Sequence, residues 1–135
     1  MTDFRRVTDD YAVSPQISTQ DVAAAAGQGF KLLINNRPDG ESPDQPDSAT
    51  MAAAAKAAGM DYLYNPVRGG PGPDQVAAQA KAVAEAKGPV LAYCRSGTRS
   101  IVTWSLGQAQ AGARGKDELV RLGAAAGYDL APVLR

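Results

Sequence analysis

The chain has 135 residues with 14 Lys+Arg against 14 Asp+Glu, a formal net charge of zero, so no charge excess points to nucleic acid or an anionic membrane as partner. Its composition, 44% hydrophobic and 21% charged, is that of an ordinary soluble globular protein, and the length suits one domain over residues 1–135 with a core that needs neither disulfide nor metal. One cysteine and no histidine exclude an internal disulfide, Cys/His and Ser/His catalytic pairs, and histidine-containing metal sites.

Met1 to Arg6 lacks the apolar stretch of a signal peptide, and no run approaches membrane-spanning length. The expected location is the cytoplasm, where a lone thiol stays reduced. Two short β candidates come first, at 4–7 and 11–13, the second ended by Ser14-Pro15. Ser18 with Asp21 three residues later opens a helix, which runs to about Ala26 and closes at Gly27 and Gly29. Residues 30–35 (FKLLIN) form a buried strand, and 36–46 (NRPDGESPDQP) a loop by composition. Asp47 caps a helix through Ala58. Residues 61–65 (DYLYN) read as a strand stopped by Pro66, and 68–73 (RGGPGP) as a second long loop.

An amphipathic helix is expected over 74–87, with Val76, Ala80, Val83 and Ala84 on one face and Asp74 as its N-cap. Residues 89–93 (PVLAY) are a third buried strand. Further helices are expected at about 99–111 and 117–126, and 128–135 as a tail. Trp104 belongs to the core of an almost wholly apolar helix; Tyr62, Tyr64 and Tyr128 fit either core or pocket wall. The alternation of helix and strand after Pro15 predicts an α/β fold, a mostly parallel sheet of 4–5 strands between two helical layers. Ligands of such sheets bind beyond the carboxyl ends of the strands, and Cys94 lies at that edge.

The stretch Cys94-Arg95-Ser96-Gly97-Thr98-Arg99-Ser100 links a strand to a helix. A tight turn there aims backbone N–H groups at one point, Gly97 permits the positive φ it needs, and the helix N-terminus adds unpaired donors and its positive dipole end. The result is an anion cradle with Cys94 at its lip, formed by Arg95, Ser96, Gly97 and Thr98 and closed by the planar fork of Arg99. A cysteine so placed is expected to act as a thiolate nucleophile without histidine. Hydroxyl hydrogen bonds from Ser96 and Ser100 would stabilise the sulfur, and Arg95 is expected to point its side chain away. A buried structural cysteine is the bland alternative, but two arginines, a glycine and two serines so close to Cys94 do not suit a core.

This loop resembles the active loops of phosphatases and rhodaneses. With Val13-Ser14-Pro15-Gln16-Ile17, Ile34-Asn35-Asn36-Arg37-Pro38-Asp39-Gly40-Glu41, Asn65-Pro66-Val67 and Leu91-Ala92-Tyr93-Cys94, the chain is similar from about Asp3 to Leu130 to the bacterial beta-lactamase-hydrolase-like, phosphatase-like domain family. The resemblance implies a dual-specificity-phosphatase-like fold, found alone or fused to sulfur-oxidising enzymes, so a sulfur-oxidising enzyme is one implied partner.

Two departures set the chemistry. Four residues separate Cys94 from Arg99, where tyrosine phosphatases have five and many rhodaneses four, and Tyr93 stands where phosphatases usually have histidine. Asn65-Pro66-Val67-Arg68-Gly69-Gly70 offers no carboxylate where a phosphatase carries its general acid. Asp39, Glu41, Asp44 and Asp74 remain as candidates, Asp39 first among them although a turn role suits it better, and Arg37 and Arg68 could reach a substrate anion. The readings are sulfur transfer through a Cys94 persulfide, slightly favoured; phosphomonoester hydrolysis through a phosphocysteine; and a non-catalytic anion or phosphoprotein-binding module. The implied substrate is a small anion, with no cofactor and no metal.

Overall fold

The computed structural model describes residues 4–134, a five-stranded sheet between two layers of helix. In chain order the elements are β1 (Arg5–Arg6), β2 (Tyr11–Ser14), α1 (Thr19–Gly27), β3 (Leu32–Asn35), α2 (Ser48–Ala57), β4 (Asp61–Tyr64), α3 (Pro73–Glu85), β5 (Val90–Tyr93), α4 (Thr98–Gln110) and α5 (Lys116–Ala125). The sheet order is β1-β2-β5-β3-β4. Only β1 runs antiparallel, so the α/β architecture with a mostly parallel sheet is the one the alternation predicts. Among the described residues no helix is long and apolar enough to cross a membrane.

The helix starts follow local chemistry. Ser18 and Asp21 form a reciprocal capping box on α1, and the Asp47 carboxylate accepts from Thr50 N–H on α2; each such cap contributes about 1 kcal/mol. On α3 the expectation is corrected. Gly72 is the cap and Asp74 sits inside the first turn. Pro73 prefers the first helical position and moves the start forward, while Gln75 Oε1 accepts from Gly72 N–H.

Alternate residues of each strand face opposite cores, as the two-residue period requires. Tyr11, Val13, Ile34, Val90 and Ala92 pack with Ile101, Trp104 and Leu119 on one face. Ala12, Leu33, Leu91 and Tyr93 pack with Val22, Met51 and Ala55 on the other. The segment after α5 is more than a tail, because Leu130 and Leu134 are buried in the first core. Gly123 allows this, since a Cβ there would lie 2.7 Å from Leu130.

Buried amides join these elements under the carboxyl ends of the strands. Gln79 of α3 donates to Tyr11 Oη at 2.8 Å and accepts from Asn36 and Asn65 at 2.7 and 3.0 Å. The Tyr11 hydroxyl donates a hydrogen bond to the Ser100 carbonyl at 2.8 Å, and its ring stacks on Trp104 with centroids 5.2 Å apart. Burial holds the Tyr11 phenol above its ordinary range, so it stays a donor. Tyr11→Phe keeps the stacking but removes one buried hydrogen bond each from the Gln79 amide and the Ser100 carbonyl. It is expected to lower stability by about 1–3 kcal/mol, read as a lower urea midpoint at unchanged slope.

Candidate active site

β5 delivers Cys94 between the ends of β2 and β3, and Cys94 N–H donates to the Ser14 carbonyl at 3.4 Å. Gly97, at φ 93°, turns the chain into α4. No side chain fits at 97, because a Cβ would lie 2.1 Å from Tyr128 Oη. Gly97 N–H donates to Cys94 Sγ at 3.1 Å. Among the described residues the N–H groups of Arg95, Ser96, Arg99 and Ser100 carry no hydrogen bond. These four donors at a helix start are available to an anion.

Two expectations about this loop are corrected. Cys94 lies at the floor of the turn rather than at its lip, with 0% exposure: the strand carries the side chain inward, and the Gly97 amide holds the sulfur under the turn. Neither serine hydroxyl bonds the sulfur. Ser96 Oγ donates to Thr98 Oγ1 at 3.0 Å, a local pairing typical of exposed turn serines, and Ser100 Oγ is buried without a partner. The Arg95 side chain is exposed, and Arg95 lines a pocket together with Arg99.

Arg99 is held by Glu41. Its Nη1 donates to Glu41 Oε2 at 2.8 Å and to the Val67 carbonyl at 2.8 Å, and its Nη2 donates to Glu41 Oε1 at 2.9 Å. A guanidinium has five N–H donors. The two left over, on Nε and Nη2, share one edge of the plane, which is the fork that grips an oxyanion in two places. Glu41 and the Cys94 sulfur both raise the pKa of Arg99, Glu41 the more.

Arg37, buried on the loop after β3, donates from Nε to Glu41 Oε1 at 3.0 Å and from Nη1 to Gln16 Oε1 at 3.0 Å. Hydrogen bonds from Arg99 first, then Arg37, outweigh partial desolvation and hold the Glu41 carboxyl down at about 2. Arg37, Arg95 and Arg99 line one pocket of about 480 Å³ with Glu41, Ser42 and Pro43. Asp39 is not among its walls. Its carboxylate accepts from Ser48 N–H at 2.8 Å, and its N–H donates to Tyr64 Oη at 2.9 Å, so Asp39 ties its loop to α2 and β4. Arg68 is exposed and outside the pocket. Among the described residues no group of three His, Cys, Asp or Glu side chains is placed to hold a metal.

Sequence reading names Glu41 only as one acid candidate. Its spacing of four from Arg37 is the one signal of the bridge, and nothing in the sequence couples it to Arg99, 58 positions away. Gln16 and Tyr128, whose bonds reach the loop from outside, give no local sign at all.

With its pKa lowered, the Glu41 bridge is fully present above the ordinary glutamate range and lost only as pH falls through about 2. Glu41 therefore holds no proton to donate at neutral pH and acts as a positioning group. Glu41→Gln is expected to reduce kcat/KM on an aryl phosphate by about tenfold or more, as the charged fork-to-fork pair is lost. It should leave every inflection between about pH 4 and 8 in place, because Glu41 does not titrate there. Steady-state pH profiles of both proteins check this.

The chain is 38% identical to a beta-lactamase hydrolase-like protein of Agrobacterium fabrum over 96% of its own length and 30% of that protein's, so it spans about 30% of the curated relatives it matches. It resembles the crystal structure of a protein from Neisseria meningitidis described as a candidate phosphatase, at 32% identity and a TM-score of 0.85, covering 98% of this chain and 94% of that one. TpbA of P. aeruginosa, solved with phosphotyrosine, shares the fold at 16% identity and a TM-score of 0.67 over 94% of this chain and 76% of that one. Residues 3–111 match the family model described as beta-lactamase hydrolase-like protein, phosphatase-like domain, and the chain belongs to that family.

Proposed function

We propose that the protein is a cysteine-dependent hydrolase of small anionic phosphoesters, with Cys94 as nucleophile and Arg99 as the anion clamp. The observation that carries this reading is the remaining donor edge of Arg99 close to the Cys94 sulfur, next to a pocket lined by three guanidiniums of which two are bonded to one carboxylate. The family and its likeness to a candidate phosphatase support phosphoryl chemistry, and TpbA, of the same fold, was solved with phosphotyrosine.

The Cys94 thiolate attacks phosphorus, the P–O bond to the leaving group breaks, and the leaving group departs with its electron pair. Water then attacks the phosphocysteine, the P–S bond breaks, and the thiolate returns as inorganic phosphate leaves. Loop amides and the Arg99 fork match the charge on the equatorial oxygens.

Among the described residues, none of the four candidate carboxylates stands ready to protonate the leaving oxygen. Glu41 is ionised and paired, Asp39 is bonded to Ser48, Asp44 is bonded to the Ser42 hydroxyl, and Asp74 stands in the first turn of α3. The favoured substrates are therefore those whose leaving group is stable as an anion, aryl rather than alkyl phosphates.

A second reading, sulfur transfer, draws on two observations: four residues between Cys94 and Arg99, and the absent acid. The Cys94 thiolate would attack the sulfane sulfur of thiosulfate, the S–S bond would break and sulfite leave, and an acceptor thiolate would then take the outer sulfur and restore Cys94.

Incubation with an aryl phosphate, an alkyl phosphate and thiosulfate separates these readings. The expected result is phosphate release from the aryl ester, at least about a hundredfold slower release from the alkyl ester, and abolition by Cys94→Ser. Arg99→Lys keeps the charge but loses the fork and should cost about a hundredfold in kcat/KM. A sulfur adduct on Cys94 by mass spectrometry, with no phosphate release, would replace this reading by the second. Phosphate binding that survives Cys94→Ser without turnover of either donor would leave a binding module.

A further inference from the structure

The peptide plane between Ser96 and Gly97 is held from both sides. Its amide donates to Cys94 Sγ at 3.1 Å, and its carbonyl, which points the opposite way in a trans peptide, accepts from Tyr128 Oη at 2.8 Å. Arg5 Nη1 donates to the same phenol oxygen at 2.8 Å, and its guanidinium lies 5.4 Å from the ring centroid. A guanidinium only donates, so the phenol's single proton is directed at the Ser96 carbonyl. The preceding plane is clamped alike by backbone, with Gln16 N–H on the Arg95 carbonyl at 3.2 Å.

We propose that Tyr128 is a positioning residue for the Cys94 loop: its hydroxyl pins the Ser96 carbonyl outward and so keeps the Gly97 amide aimed at the sulfur. Tyr128 lies beyond residues 3–111 that define the family match. Gly97 makes the device necessary, because its free φ would otherwise let this plane turn over at little cost. With the carbonyl turned inward, the sulfur loses its donor and meets a partial negative charge instead, which disfavours the thiolate and repels an anion. The inference rests on Cys94 as the reactive group but not on which group it transfers.

Alkylation of Cys94 by iodoacetate and by iodoacetamide tests it, with hydrogen exchange of single amides read by NMR. In the wild-type protein the Gly97 amide is expected to be protected, and iodoacetate to gain on iodoacetamide relative to a free thiol. Tyr128→Phe keeps the ring over Arg5 and removes only the hydroxyl. It should slow iodoacetate capture about tenfold, the worth of one hydrogen bond near a charge, erase the preference for the anion and expose the Gly97 amide, while Leu33 and Leu91 amides stay protected. Wild-type rates, anion preference and Gly97 protection in a folded Tyr128→Phe protein would overturn the proposal. Should that variant fail to fold, exchange of the wild-type Gly97 amide at the rate of an open loop would overturn it equally. Absence of anion preference in the wild-type protein would instead count against the Proposed function.

Discussion

The site depends on how the chain leaves β5. Within three residues of Cys94 it must stop being a strand, turn, and start α4, so that the helix begins directly over the sulfur. Only a residue at φ 93° makes that turn, and only one without a side chain leaves room for Tyr128. Gly97 meets both demands. A longer connection would carry the helix start and its amides away from the cysteine.

What surrounds the turn follows from holding it still. Below, the Gln79, Tyr11 and Asn36 bonds fix the Ser100 carbonyl and the ends of β3 and β4 in one fully buried network. Such a network rigidifies a site when every member is satisfied. Above, Glu41 turns Arg99 edge-on to the sulfur by using its other donors. The exposed polar face is therefore nearly as constrained as the core, though its restraints come from parts of the chain far apart in sequence.

The architecture was legible because each element carries its own local signature. The Ser18–Asp21 box, Asp47, and the glycines after α1 and α2 mark their ends without reference to anything distant. The Cys94 loop was legible for the same reason, since a strand, a cysteine, a glycine and two arginines stand together. Legibility failed where a bond spans sequence. Glu41 reaches 58 residues to Arg99, Gln79 reaches 68 to Tyr11, and Tyr128 reaches 32 to Ser96. Burial of Cys94 was misjudged because the direction of one side chain at a strand end depends on the turn after it. Ser96 and Ser100 were misassigned because a hydroxyl's partner is settled by rotamer and neighbours, which spacing does not encode.

Arg37 and Arg99 share one oxygen of Glu41, and Arg95, with no ion-pair partner among the described residues, lines the same pocket. One carboxylate cannot neutralise three guanidiniums, so like charges stand close together around this pocket. An oxyanion bound there would relieve that repulsion and add thermal resistance that grows with its concentration. This chain carries no formal net charge, and salt screens any such attraction within about one Debye length, roughly 8 Å in physiological conditions. Recognition by this pocket would therefore act at contact.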